Sequence, residues 1–273
     1  MKRLLLAITS TVIALLLPGC LQSETTIHLN KDGSGTLVEQ TTLGAQMMAM
    51  MDQMSSFGGA DGRAKAKDPV AEMFSPEKAK ARAATLGEGV TFEKSEPIEI
   101  GGNKGARTTF KFADINKLKI APGEGMKDMS PMGAAAPATA KSEPIAFKFA
   151  DGTLTIGMPE PAKPEADKDA KPDAPDMEEN PQMDAMMKQM LGDMKMSFKV
   201  VVDSGIADTD ATNHDGNTVT LMEMEMGKLL EKPETLKKLQ AADHNDPQAA
   251  MEALKGLEGV KMETKKQVTV KLK

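Results

Sequence analysis

Apolar and polar residues alternate in short runs along most of this chain, and turn-forming clusters close each run. That pattern predicts strands paired as hairpins. Thr25, Ile27 and Leu29 share one phase against Thr26, His28 and Asn30. Lys31-Asp32-Gly33-Ser34 then supplies a turn, and Gly35 to Leu43 returns, rich in Thr and Val. A second hairpin places Val90, Phe92, Ile98 and Ile100 in one phase, with an irregularity expected at Pro97. It turns at Gly101-Gly102-Asn103-Lys104 and returns through Phe110 and Phe112. The third runs through Ile145, Phe147 and Phe149, turns at Asp151-Gly152, and returns through Leu154, Ile156 and Met158. Asp-Gly between alternating runs is a strong hairpin signal.

Further along, Met196, Phe198, Val200 and Val202 predict a strand, and Ile206 to Asn213 a further strand or irregular edge. His214-Asp215-Gly216-Asn217 turns the chain. After it Val219 and Leu221 fall in one phase and Met222, Met224 and Met226 in the other, which predicts a bulge or burial on both faces. Val268, Val270 and Leu272 form a final strand.

Helical spacing interrupts the strands. Met47, Met50, Met51 and Met54 line one face of a helix over 45–57, closed by Gly58-Gly59. Asp68-Pro69 and Ser75-Pro76 each read as an N-cap followed by Pro at the first helical position, and the helix from Pro76 stops at Gly87. Met183, Met186, Met187, Met190, Leu191 and Met194 make another one-sided helix, and short helices are expected at Pro233 to Gln240 and Pro247 to Leu257. Hairpins with segregated helices predict an α+β fold: a mostly antiparallel sheet built from hairpins, with short Met-rich helices packed on one face. Segments 121–140 and 159–181 lack apolar periodicity and read as flexible loops.

The amino terminus follows a different rule. Lys2 and Arg3 precede an apolar run from Leu4 to Leu17, which ends in Leu17-Pro18-Gly19-Cys20. The run is shorter than the ~20 apolar residues a membrane span needs and suits a cleaved export signal. Leu, a small residue, Gly and then Cys resembles the lipobox of bacterial lipoproteins, with Pro18 where Ala or Ser is commoner. The resemblance implies cleavage before Cys20, a diacylglycerol (palmitate-type chains) on its thiol and acylation of the new amine. It also implies export and lipid anchoring in the cell envelope. Where the host has two membranes, the absence of Asp after the Cys points to the periplasmic face of the outer membrane. The expected organisation is a signal peptide at 1–19, a lipidated tether at 20–24, and a single α+β envelope domain at 25–273. So short a tether keeps the fold within about 15–20 Å of the bilayer.

Cys20 is the single cysteine of the 273 residues, so lipidation leaves no disulfide to stabilise the domain. Trp and Tyr are absent and Phe occurs 8 times, whereas Met occurs 23 times and is expected to fill much of the core. Cleavage removes Lys2 and Arg3 from a formal charge of −6, giving −8. A mildly acidic chain without a basic block excludes nucleic acid as the expected partner.

Catalytic templates are missing: no Gly-x-Ser-x-Gly, Walker loop, Rossmann glycine pattern or His-Glu-x-x-His occurs. His28, His214 and His244 are scattered, and Asp203, Asp208, Asp210 and Asp215 read as turn residues rather than a calcium loop. Met126, Met129 and Met132 are a candidate Cu(I) set, because thioethers are soft ligands. The same residue type equally suits apolar contact with a protein or lipid partner.

From Cys20 through Ile27-His28-Leu29-Asn30-Lys31-Asp32-Gly33-Ser34-Gly35 the layout resembles the start of LppM-like mycobacterial lipoproteins, with Cys, strand, Gly-rich turn and strand in succession. Ala211 to Glu223 is similar to a stretch of uncharacterised envelope lipoproteins. The resemblance implies a membrane-proximal α+β module in contact with envelope lipids. The functional expectation is a non-catalytic, membrane-anchored binding or interaction module, with no cofactor, whose partners are the membrane and an envelope protein or lipid. An envelope copper(I)-binding protein and an unrecognised hydrolase are the alternatives.

Overall fold

The computed structural model describes residues 21–57, 72–121, 143–159, 192–232, 235 and 253–273. Strands β1 (Leu21–Leu29) and β2 (Gly35–Leu43) form the first hairpin, in continuous register from Leu21 opposite Leu43 to Leu29 opposite Gly35. The strand starts at Leu21, not at Thr25, so Leu21 to Glu24 are not a tether. Two neighbours fix this: β2 on one side, and on the other β7 (Lys195–Val202), which begins pairing with β1 at Gln22. Ladder partners on both edges hold Ser23 and Glu24 extended even though they carry no apolar signal.

Helix α1 (Ala45–Phe57) follows β2, and helix α2 (Pro76–Thr85) precedes the second hairpin, β3 (Thr91–Ile100) and β4 (Asn103–Phe112). Ser75 caps α2 by accepting the Lys78 N–H with its hydroxyl, and Pro76 takes the first helical position, as the sequence predicts. Pro97 does not break the ladder, because β3 is an edge strand. The irregularity lies instead between Phe92 and Lys94, where Glu93 is one residue too many for β4. Phe92 therefore faces the core opposite Phe110, whereas Ile98 and Ile100 are turned to the outer face. The four apolar residues do not share a phase.

The third hairpin is β5 (Ala146–Ala150) and β6 (Thr153–Gly157). Its turn residues Asp151 and Gly152 have φ of 49° and 69°. Positive φ at both central positions is what a type I′ hairpin requires. The remaining elements are β8 (Ile206–Thr209), β9 (His214–Asp215), β10 (Thr218–Glu225), helix α3 (Met226–Glu231), β11 (Val260–Met262) and β12 (Gln267–Leu272). The phase switch after Leu221 is a bulge: the β10–β7 register slips between Thr220 and Met222.

These strands form two sheets. The large one has the order β11-β10-β7-β1-β2-β4-β3, with β9 added to β10, and the small one has the order β5-β6-β12-β8. All pairings among the described residues are antiparallel except β1 with β7, so the fold is α+β with mostly antiparallel sheets. Ile27, Leu37, Phe110 and Val200 of the large sheet join Leu154, Ile156 and Val268 of the small one in a single contiguous core, to which α2 adds Ala83. Among the described residues no Met is fully buried there; Met158 and Met222 pack at its margin. Among the described residues, the core that the sequence assigned to methionine is built mainly of Leu, Ile, Val and Phe, which suit a pleated surface better.

Candidate functional site

Cys20, Met126, Met129, Met132, the methionines from 183 to 190 and His244 lie outside the described residues. The predicted helix over 45–57 is present as α1, with Met47 and Met48 half-buried. The candidate site is therefore built from the end of the large sheet at which the described chain begins, at Leu21.

At that end the first residue of β1, Leu21, is only 5% exposed. It stands in a row that crosses four strands: Leu21 opposite Leu43, Leu43 opposite Lys104, Lys104 opposite Glu99. One position further out, Asn103 is opposite Ile100 at the mouth of the Gly101-Gly102 turn. Leu43, Leu229 and Leu230 are buried like Leu21, and all four lie outside the main core. Leu21 and Leu43 face each other across β1 and β2, and α3, which carries Leu229 and Leu230, follows the end of β10 at the same end of the sheet.

The outer face of the large sheet is polar. Lys199 on β7 reaches Glu24 on β1 at 3.2 Å and Glu223 on β10 at 3.9 Å, and Lys261 on β11 reaches Glu223 at 2.9 Å. Hydrogen bonding from Lys261 holds the Glu223 carboxyl below the usual carboxylate value, against a smaller opposing effect of burial. Nearer the Leu21 end of the sheet, Glu225 pairs with Lys228 at 2.7 Å and Lys195 at 3.1 Å. Arg107 donates twice to the Gln40 side chain. Such a ladder of neutralising pairs belongs to a solvated face.

The histidines and aspartates do not converge. His28 Nδ1 lies 3.4 Å from Asp203 on the outer face, and His214 Nδ1 faces the Ala211 carbonyl at 3.3 Å. Asp208 is exposed on β8 and Asp215 is exposed on β9. Among the described residues no three His, Cys, Asp or Glu side chains are grouped to hold a metal ion.

One acidic residue escaped the sequence reading. Glu263 is 1% exposed and accepts from Thr212 N–H (2.8 Å), Thr212 Oγ1 (2.7 Å), Thr264 N–H (2.9 Å) and Lys265 N–H (3.0 Å). Burial works to raise its carboxyl. The hydrogen bonds from Thr212, Lys265 and Thr264 outweigh burial and hold it below the ordinary value. The chain passes between the sheets twice here, from β8 to β9 and from β11 to β12, and Glu263 ties the two crossings together. Asp210 reinforces the tie by accepting the Thr269 N–H at 2.7 Å and pairing with Lys265 at 3.4 Å. The stretch Ala211 to Asn213 thus has a structural task, with Asn213 also donating to the Met262 carbonyl. No sequence signal marked Glu263, which reads as an ordinary surface acid next to Thr and Lys.

Among the described residues no helix is long and apolar enough to cross a membrane. No family model matches the chain, and no curated protein matches it. A solved structure that resembles it is the folded domain of the LppM protein of Mycobacterium tuberculosis, at 9% identity and a TM-score of 0.33, over 77% of this chain and 85% of that one. At that identity and score the likeness decides neither fold nor function.

Proposed function

We propose that this chain is a non-catalytic lipoprotein of the bacterial cell envelope, anchored through an acylated Cys20 and acting as a binding or interaction module at the membrane surface. The observation that carries this reading is Leu17-Pro18-Gly19-Cys20 at the end of a basic-then-apolar leader. Burial of Leu21 supports it: with no tether, an acylated Cys20 sets the folded domain directly against the bilayer. At least two acyl chains are needed for a stable anchor, which diacylglycerol on the thiol and an amide-linked chain on the amine supply. Partners on this reading are the membrane and an envelope protein or lipid met by the Met-bearing helical faces. The fully occupied hydrogen bonds of Glu263, the most buried carboxylate among the described residues, give it a tying role and support a non-catalytic reading.

Intact-mass analysis of the protein extracted from its native membranes tests this. The expected species starts at Cys20 and carries the mass of a diacylglycerol and an acyl chain, and Cys20→Ser abolishes both the processing and the lipid. A bare thiol at position 20, or a leader still attached, overturns the proposal.

A further inference from the structure

Resting on that anchored reading, we infer that the end of the large sheet carrying residue 20 is seated on the bilayer, with the β3–β4 hairpin tip dipping Ile100 into the headgroup and acyl boundary. Three independent features meet at this end. First, the chain leaves the sheet toward Cys20 from Leu21, which is buried and hydrogen-bonded in register, so the anchor has no slack. Second, Ile100 is the large apolar side chain left exposed among the described residues, at 39%. It lies one position beyond the row of Leu21, Leu43, Lys104 and Glu99, at the end of the sheet where the described chain begins. Third, α1 starts two residues after Leu43 and carries Asp52 as the single ionisable side chain of its 13 residues.

The β3–β4 tip lies three strands from β1, about 14 Å sideways at an interstrand spacing of about 4.8 Å. Lipid chains held at residue 20 therefore bring the surface to the same level as Ile100. The bulge at Glu93 is what aims Ile100 outward, and Gly101 and Gly102, with φ of 58° and 84°, keep the tip small. Nothing lies within 4 Å of where a Cβ would project from either glycine. Near this end Lys195 and Lys228 pair with Glu225, and the exposed Glu99 and Lys104 stand opposite each other with opposite sign, so this end presents no block of one sign to oppose contact with lipid.

The test uses the full-length lipoprotein extracted from membranes and reconstituted into vesicles of phosphatidylethanolamine and phosphatidylglycerol. An acylated Cys20 leaves no thiol, so Ile100→Cys or Lys31→Cys gives one site for an environment-sensitive dye. Lys31 is exposed in the β1–β2 turn at the far end of β1, about 30 Å away at strand rise. Both positions are exposed, so the substitutions leave the fold intact. Dye at Ile100→Cys is expected to shift its emission to the blue and to be quenched by spin-labelled lipid several-fold more than dye at Lys31→Cys. Equal quenching on protein that floats with the vesicles overturns the seating while leaving the anchor standing. Protein that fails to float overturns the anchored reading and the seating with it.

Discussion

Replacing Glu263 with Gln tests the claim that one buried carboxylate ties the two sheets together. The carboxylate oxygen Oε2 accepts the Thr212 N–H, while Oε1 accepts the Thr212 hydroxyl and the Thr264 and Lys265 N–H groups. Gln supplies one oxygen for the second set but points an NH2 at the Thr212 N–H, donor against donor. A buried donor left unsatisfied costs about 1–3 kcal/mol, and bonds to a charged acceptor lose roughly half their strength when it becomes neutral. The expected loss is about 3 kcal/mol, a large fraction of the ~5–15 kcal/mol that holds a domain together. In urea this moves the unfolding midpoint down by about 1–2 M for a slope of about 2 kcal/mol/M.

The dependence on pH gives a second signature. The folded carboxyl is held below its ordinary value of 4.5, so its contribution is complete above that value and is lost as pH falls through the lower folded value. The gap between the native chain and Glu263→Gln is expected to narrow from about pH 5 downward. Glu88→Gln, at the exposed ion pair with Lys117, serves as the contrast and should cost under about 1 kcal/mol. A Glu263→Gln loss no greater than that of Glu88→Gln, or a gap that stays constant into acid, would refute the tie.

Other consequences are simpler. Asn116 accepts the Phe149 N–H at 2.6 Å and donates to the Phe149 carbonyl at 3.3 Å, so its amide acts as a substitute strand on the free edge of β5. Asn116→Ala should cost about 1–2 kcal/mol in chemical denaturation, and sedimentation should show concentration-dependent association through the uncovered edge. Gly33 has φ of 87°, and a Cβ there would lie 2.7 Å from the Phe149 ring. Gly33→Ala should therefore lower the thermal midpoint, by strain of about 1–3 kcal/mol. Lys199→Met, at a partly exposed pair on the outer ladder, should change stability by less than about 1 kcal/mol; a larger loss would mean that the ladder is not simply a solvated face.

Local pattern revealed the hairpins because a turn and two alternating runs are contiguous in sequence. Asp151-Gly152 specifies its own turn type through positive φ, and the Leu221-to-Met222 phase switch announces its bulge. Long-range partners leave no such trace. Nothing near Ile27 says that it will lie opposite Val200, so neither the parallel β1–β7 pairing nor the division into two sheets was legible. The start of β1 was missed for the same reason, since Ser23 and Glu24 are held by neighbours and not by their own propensity. The candidate anchor is the reverse case: Leu17-Pro18-Gly19-Cys20 resembles a processing signal, a pattern legible as sequence and independent of the fold.

Glu93 shows how a small illegible feature redirects a functional surface. It stands between Phe92 and Lys94, and either a regular strand or a bulge leaves its charged side chain at an edge, where it pairs with Lys111 at 2.6 Å. Sequence periodicity cannot choose between them, yet the choice decides where every later residue of β3 faces. Without the extra residue Ile98 and Ile100 would turn inward and the charged Glu99 outward. With it, an isoleucine is exposed at the end of the sheet where β1 begins, and the same strand still contributes Phe92 to the core through its edge-on contact with Phe110 at 6.4 Å. One inserted residue thus lets a single edge strand serve the core at one end and, on the proposed seating, meet the bilayer at the other.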